Sequence, residues 1–280
     1  MQDSIFIIKD DGKLIEMERT DYVTEDTFQN LLEEYPSLIP GAQIDRDNPR
    51  KWLMIGREVG IPGEQNGFER WSLDHLLLDQ DGIPTFVEVK RASDTRIRRE
   101  VVGQMLDYAA NAIAYWSVET IRQIFENACD QQGVDFESEL VKIFGIDIDV
   151  DSFWEKVDNH LQIGKIRLLF IADRVPKELL RIVEFLNEQM NPAEVLAVEL
   201  PQYKGHGLKS ISPRILGQTV QAERKKGHTS TTKRLKWTDD LIELELDAMP
   251  SKRASCIRTF RDFVRDHSEK FPNIEYGTGF

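Results

Sequence analysis

The sequence predicts a mixed α/β fold, a sheet flanked by helices, followed by a small and mostly helical C-terminal module. Three observations carry this. KIRLLFIAD, VPKELLRIVEFLNEQM and AEVLAVELP read as strand, helix and strand, a crossover unit typical of an α/β sheet. WSLDHLLLD and IPTFVEVKR read as two strands joined by the turn signal QDG. From about Thr95 to Trp116 the apolar residues recur at helical spacing, and 119–161 reads as further helices.

Element by element, IFII and KLIEM are two short β-like runs around the turn KDDGK. Thr24 is a plausible N-cap, after which Phe28, Leu31, Leu32 and Tyr35 form an apolar helical stripe that Pro36 ends. KWLMIGREV is a strand and GIPGEQNG a loop. In the helix after 95, Val101, Val102, Met105, Leu106, Ala109, Ala110 and Ile113 are expected to face a core. The polar, Gly-containing segment 204–236 reads as a basic flexible linker. Residues 237–280 read as two helices followed by NIEYGTGF. The acidic run GIDIDVD lacks the Gly and Glu of a calcium loop and is read as surface.

The net charge is −13, from 36 basic and 49 acidic residues, which argues against a surface coated with DNA-binding charge but leaves room for a local basic groove. No apolar run approaches the roughly 20 residues of a bilayer span, so no membrane role is expected. The N-terminus has no signal-peptide pattern. Cys129 and Cys256 are far apart and suggest neither a disulfide nor a zinc site. A cytoplasmic protein is expected. No Walker loop, dinucleotide fingerprint or nucleophile elbow occurs, so no nucleotide cofactor is expected.

The functional signal lies in PTFVEVKRASD, where Glu88 and Lys90 interrupt an apolar run. Burying such charges without partners is costly. Alternation puts Phe86, Glu88 and Lys90 on one face and Val87 and Val89 on the other. Asp74 lies in the preceding strand, so two carboxylates and a lysine are expected to converge at one sheet edge; His75 should point to the opposite face, in a structural role. A carboxylate pair suits a hard cation such as Mg²⁺ or Mn²⁺. Gln104 and Tyr108, four apart, share a helical face. On the first helix, Glu25 falls nearest the apolar stripe and is the best acidic candidate to reach the same edge.

Asp74, Glu88-x-Lys90 and Gln104-x-x-x-Tyr108 together resemble the PD-(D/E)XK, restriction-endonuclease-like nuclease superfamily. TEDTFQNLLEEYPSLIPG, SLDHLLLDQDGIPTFVEVKR and the closing strand-helix-strand are similar to the catalytic domain of NucS-type endonucleases, over most of residues 22–201. The resemblance implies a mixed sheet flanked by helices over 1–203, from which the helical stretch 119–161 departs as an insertion that lengthens the domain. It implies Asp74, Glu88 and the Val89 carbonyl as metal ligands, Lys90 as catalytic lysine and Glu25 as the outer helix carboxylate. Gln104 and Tyr108 would support the site or the DNA backbone. Only about 20 residues precede the first helix, so no counterpart of the N-terminal DNA-binding domain of NucS-type enzymes is expected and mismatch specificity is not implied. The C-terminal part, ending in IEYGTGF, resembles a small helical-then-strand module appended to some such nucleases, expected to be truncated where a strand should continue. The expected activity is metal-dependent hydrolysis of phosphodiesters in nucleic acid, with DNA the expected substrate. The alternative is a nuclease-fold module that binds DNA or protein without turnover. Arg91, Arg96, Arg98 and Arg99 follow the site as candidate phosphate contacts, against a reading as a solvated helix start. Arg224, Lys225, Lys226, Lys233, Arg234 and Lys236 could track a backbone, or serve only as a tether. A homodimer that builds a groove between copies is a further expectation.

Overall fold

The 71–91 pattern folds as a hairpin, and the structure, a computed structural model, builds its main sheet around it. Residues 4–63, 69–93 and 100–219 are described. In order they form β1 (Ser4–Ile8), β2 (Leu14–Thr20), α1 (Glu25–Glu34), α2 (Gly41–Ile44), β3 (Trp52–Pro62), β4 (Glu69–Asp79) and β5 (Pro84–Lys90). These are followed by α3 (Glu100–Tyr115), α4 (Val118–Gln132), α5 (Phe136–Phe144), α6 (Val150–Gln162), β6 (Arg167–Ala172), α7 (Lys177–Gln189) and β7 (Glu194–Glu199). Three short strands close the series: β8 (Gln202–Gly205), β9 (Leu208–Ile211) and β10 (Arg214–Leu216).

The main sheet has the order β10-β7-β6-β5-β4-β3. β3, β4 and β5 are antiparallel neighbours, whereas β5, β6 and β7 run parallel. The α/β class read from the sequence is the class observed, and the sheet is mixed. Both faces are covered. Leu76, Leu78, Phe86, Leu168 and Phe170 pack with residues of α3, α4 and α6. Leu77, Val87, Val89, Leu169 and Ile171 pack with Phe28 and Leu32 of α1. Two covered faces explain why β5 and β6 read as near-continuous apolar runs.

Local chemistry explains the ends of the elements that place the site. Thr24 Oγ1 accepts the Thr27 N–H at 3.0 Å, a cap worth about 1 kcal/mol. At the β4–β5 turn, Gly82 adopts φ +75°, and Asp79 Oδ1 accepts the Asp81 and Ile83 N–H groups, each at 3.0 Å. On α3 the buried residues are Val101, Met105, Tyr108, Ala109 and Ala112. Ala110, expected in the core, is exposed, because the helix turns its inner face through 108 and 112 instead. Tyr35 is likewise exposed, lying just past the end of α1.

Two sequence expectations are corrected. The loop placed at GIPGEQNG begins late, since β3 continues through Pro62. The segment from 204 is not linker at its start: β8 and β9 pair as a hairpin, and β10 pairs with β7. Strands of three or four residues around Gly205 and Gly207 are too short to show alternation, which is why composition suggested a tether. β8 also pairs with β2, so β1-β2-β8-β9 form a second sheet that no local pattern announces. The chain divides into two units, 1–226 and 227–280. The rest of the linker, with Arg224 to Lys236, and the C-terminal module lie outside the described residues. Among the described residues, no helix is long and apolar enough to cross a membrane.

Candidate active site

β4 and β5 are in the register His75↔Val87, and one more step sets Asp74 opposite Glu88. Both side chains therefore leave the sheet on the α3 side, two residues before the end of β5. Lys90, the last residue of β5, is level with Ala172 of β6. Its ammonium lies 3.1 Å from Glu88 Oε1, 3.9 Å from Asp74 Oδ2 and 2.9 Å from Glu25 Oε1, and it donates to the Val89 carbonyl at 2.9 Å. Asp74 Oδ2 accepts the Val89 N–H at 2.7 Å. Glu25 arrives from α1, on the other face of the sheet, so the cluster forms at the strand end where both helix layers can reach it.

Three carboxylates thus surround one ammonium. Glu88 is 3% exposed, and its Oε2 has no hydrogen-bond partner. Burial, then the charge of Asp74, push the Glu88 carboxyl up to about 7, against the pull of Lys90. Burial also raises Asp74, although Lys90 and the Val89 N–H oppose it. Burial alone would lower Lys90, but Glu88, Asp74 and Glu25 outweigh it and hold the amine protonated beyond its ordinary range.

α3 supplies the roof. The Tyr108 hydroxyl is pushed up to about 12, first by burial and then by the charges of Glu88 and Asp74. Gln104 Nε2 donates to that hydroxyl at 3.3 Å, which leaves the phenolic proton free for another acceptor. Arg91 does not stand free beside the site: its guanidinium donates to the Val23 carbonyl at 2.9 Å, tying the end of β5 to the chain entering α1. Arg96, Arg98 and Arg99 lie outside the described residues. His75 points to the α1 side, as alternation requires, and its Nε2 is 3.1 Å from the Gln29 carbonyl. A carbonyl only accepts, so Nε2 carries the proton; burial pushes this imidazole down to about 4 and keeps it neutral.

Two supporting residues were not anticipated. Asp173, just beyond β6, accepts the Ala92 N–H at 2.6 Å and the Arg174 N–H at 3.0 Å, and its carbonyl accepts from Arg19 at 2.5 Å. It pins the backbone that leaves Lys90. Gln29, one turn beyond Glu25, is buried; its Oε1 accepts from Arg57 at 3.1 Å and its carbonyl accepts from His75, the neighbour of Asp74, at 3.1 Å. The aspartate that ends KIRLLFIAD was the available signal for the first. For the second it was the polar stripe Asp26, Gln29, Asn30, Glu33 beside the apolar one.

Among the described residues, no group of three or more His, Cys, Asp or Glu side chains is arranged to hold a metal ion. The donor set on offer is the pair Asp74 and Glu88 with the Val89 carbonyl. The pair fits a hard divalent cation on one observation: a buried carboxylate oxygen, Glu88 Oε2, lacks any partner in a cluster with more acid than base.

No protein-family model matches the chain, and no curated protein matches it. One solved structure does, a repair endonuclease from Pyrococcus abyssi, at 15% sequence identity and a TM-score of 0.29. The match covers 68% of this chain, which spans about 63% of the length of that structure. At this TM-score the two are only loosely alike in fold, and nothing about that enzyme's substrate transfers from it.

Proposed function

We propose that this protein is a metal-dependent endonuclease that hydrolyses phosphodiester bonds in DNA, with Asp74, Glu88 and Lys90 as the reacting cluster. The observation that carries the reading is the convergence of these three groups with one buried carboxylate oxygen left unpartnered. Mg²⁺ or Mn²⁺ held by Asp74, Glu88 and the Val89 carbonyl would supply Lewis acidity toward a phosphodiester and neutralise the acid surplus.

The residues of the chain divide the remaining work. Lys90 stays protonated, so it acts as a donor and a positive charge toward a non-bridging phosphate oxygen, not as a base. Glu25 and the Val89 carbonyl aim that ammonium. Glu88, raised to about 7 by burial and Asp74 in the metal-free protein, would be held as a carboxylate by the bound cation and so serve as ligand rather than proton acceptor. Tyr108, with its own proton free, can donate to a phosphate oxygen. Arg96, Arg98 and Arg99 follow the cluster in sequence and would contact the flanking backbone, whereas Arg91 is engaged by the Val23 carbonyl.

The test is nicking of supercoiled plasmid and of branched DNA with Mg²⁺ or Mn²⁺. Lys90→Ala and Glu88→Ala should each lower the rate by about 10²–10³-fold. Equal cleavage by wild type and variants would sink the assignment. DNA binding with no cleavage under any metal would leave a binding module instead.

A further inference from the structure

The main sheet ends in an open edge. β3 pairs with β4 on one side and stands last in the strand order. In an antiparallel ladder the backbone groups of successive residues point to alternate sides. The Asp79 N–H turns to the Ile83 carbonyl, away from β3, so its partner Trp52 directs its N–H and C=O outward. Met54, two residues on and opposite Leu77, does the same. The Lys51 N–H keeps this phase, turning inward to Gln80 Oε1 at 2.9 Å. Two donors and two acceptors therefore lie along the edge with no backbone partner among the described residues.

Their surroundings form a slot. A cavity of about 1150 Å³ has residues 52–57 of β3 as its floor. One wall is the end of α1, with Glu33, Glu34 and the half-exposed Tyr35 just beyond it; the other is α4 and α5, with Ile124 and Ile143. Walls on both sides leave room for one extended chain rather than for the edge of a second, helix-covered sheet. The walls differ in charge. Glu33 and Glu34 close α1, where the helix dipole is already negative and the last turn holds no basic residue. Arg57 lies 3.7 Å from Glu33, but the same guanidinium also serves Asp26 and Glu58, so this wall stays acidic. On the opposite wall Glu139 and Lys142 neutralise each other at 2.9 Å around an apolar centre. Of the other lining cations, Arg50 is engaged by Asp45 and Asp81, and Lys51 stands at the turn end of the slot.

We propose that the β3 edge is a docking slot for an extended, basic–apolar peptide segment of a partner protein, which joins the six-stranded sheet as a further strand. Its backbone pairs with Trp52 and Met54. Its side chains alternate between the two walls, apolar ones toward Ile124 and Ile143, lysine or arginine toward Glu33 and Glu34. The slot includes none of Asp74, Glu88 and Lys90, so the inference stands apart from the hydrolytic reading.

The test is titration of the full chain with a fluorescein-labelled peptide of alternating valine and lysine, read by fluorescence anisotropy. Two further peptides serve as controls: the same sequence with its internal amides N-methylated, which keeps the charge but cannot pair, and an alternating valine–glutamate peptide. Each control should bind at least about tenfold more weakly. The double variant Glu33→Lys/Glu34→Lys should lose about tenfold in affinity for the valine–lysine peptide. Met54→Pro removes a donor that the β4 ladder does not use, so it should fold, as far-UV circular dichroism will show, and bind about three- to tenfold more weakly. Amide exchange in wild type gives a readout that needs no variant: the Trp52 and Met54 amides should gain protection with the peptide bound, while Leu53, bonded to β4, is protected throughout. Equal binding of the N-methylated peptide, affinity unchanged by the charge reversal, or Trp52 and Met54 amides that exchange alike with and without peptide would each overturn the slot. So would a valine–lysine peptide that does not bind.

Discussion

Two buried carboxylates of the main sheet, Asp79 and Glu88, sit at opposite ends of the β4–β5 hairpin and have opposite surroundings. Asp79 is fully buried, yet each oxygen is used: Oδ1 takes two backbone N–H groups, and Oδ2 takes Arg167 at 3.0 Å with Arg50 at 3.8 Å. Arg167, itself buried, also reaches Glu194 at 2.5 Å. Glu88 shares one ammonium with two other carboxylates and keeps one oxygen unpartnered. The first end is saturated and closes the sheet. The second is short of positive charge, an arrangement that costs stability in the free protein and makes sense where something cationic is to be bound.

The largest contrast should come from removing a cation at the saturated end. Arg167→Met leaves Asp79 buried beside a gap, and the unfolding free energy should fall by about 3–5 kcal/mol in a urea titration. A loss under about 1 kcal/mol would mean that the two ends are not so different. At the other end, Glu88→Gln removes repulsion from Asp74. Stability of the metal-free protein at pH 8 should rise by about 1 kcal/mol or more, while Mn²⁺ binding is lost. A destabilised variant would show that Glu88 serves the fold.

The pH dependence follows from the same comparison. Glu88 titrates at about 7 in the fold against an ordinary value of 4.5, so between these values the folded state holds a proton that the unfolded chain has released. Its contribution to stability is therefore present at low pH and lost as pH rises toward 7. His75 works the other way, being lowered to about 4 from 6.5, so its contribution is lost as pH falls through that window. The two oppose each other in wild type, and the difference between wild type and Glu88→Gln isolates the carboxyl. The advantage of the variant should grow from pH 5 to about 7 and then level off; a difference flat with pH would place Glu88 at an ordinary value.

The smallest effect concerns the strand that carries Arg57. Glu58 adopts φ +51° within β3, a left-handed conformation in which a side chain is strained. Glu58→Gly should raise the unfolding free energy by about 0.5–1 kcal/mol, with Mn²⁺ affinity unchanged. A fall in stability would indicate that the side chain, 3.8 Å from Arg57, outweighs the strain.

The clustering of the candidate residues could be read from the sequence because they lie on four regular elements, β4, β5, α1 and α3. Period-two alternation placed Glu88 and Lys90 together and turned His75 away, and the QDG turn brought Asp74 alongside. A helical repeat of four paired Gln104 with Tyr108. Glu25 was chosen on a wheel, and it does meet Lys90. Residues that act through distant partners were not legible. Arg57 and Gln29 are 28 positions apart, Asp173 lies 81 positions beyond Ala92, and β8 joins β2 across most of the domain. No local period encodes such pairings.

What the chain's own pattern dictated was the set of strands and helices and the face each side chain takes, because steric alternation and helical pitch act between near neighbours. Which carboxylate would be saturated and which left wanting was decided by packing. Arg167 and Arg50 reach Asp79 through strand order and loop path, while nothing but Lys90 reaches Glu88 among the described residues. Burial sets the proton affinity of a charged group by excluding water, and the fold excludes water only once distant segments have come together.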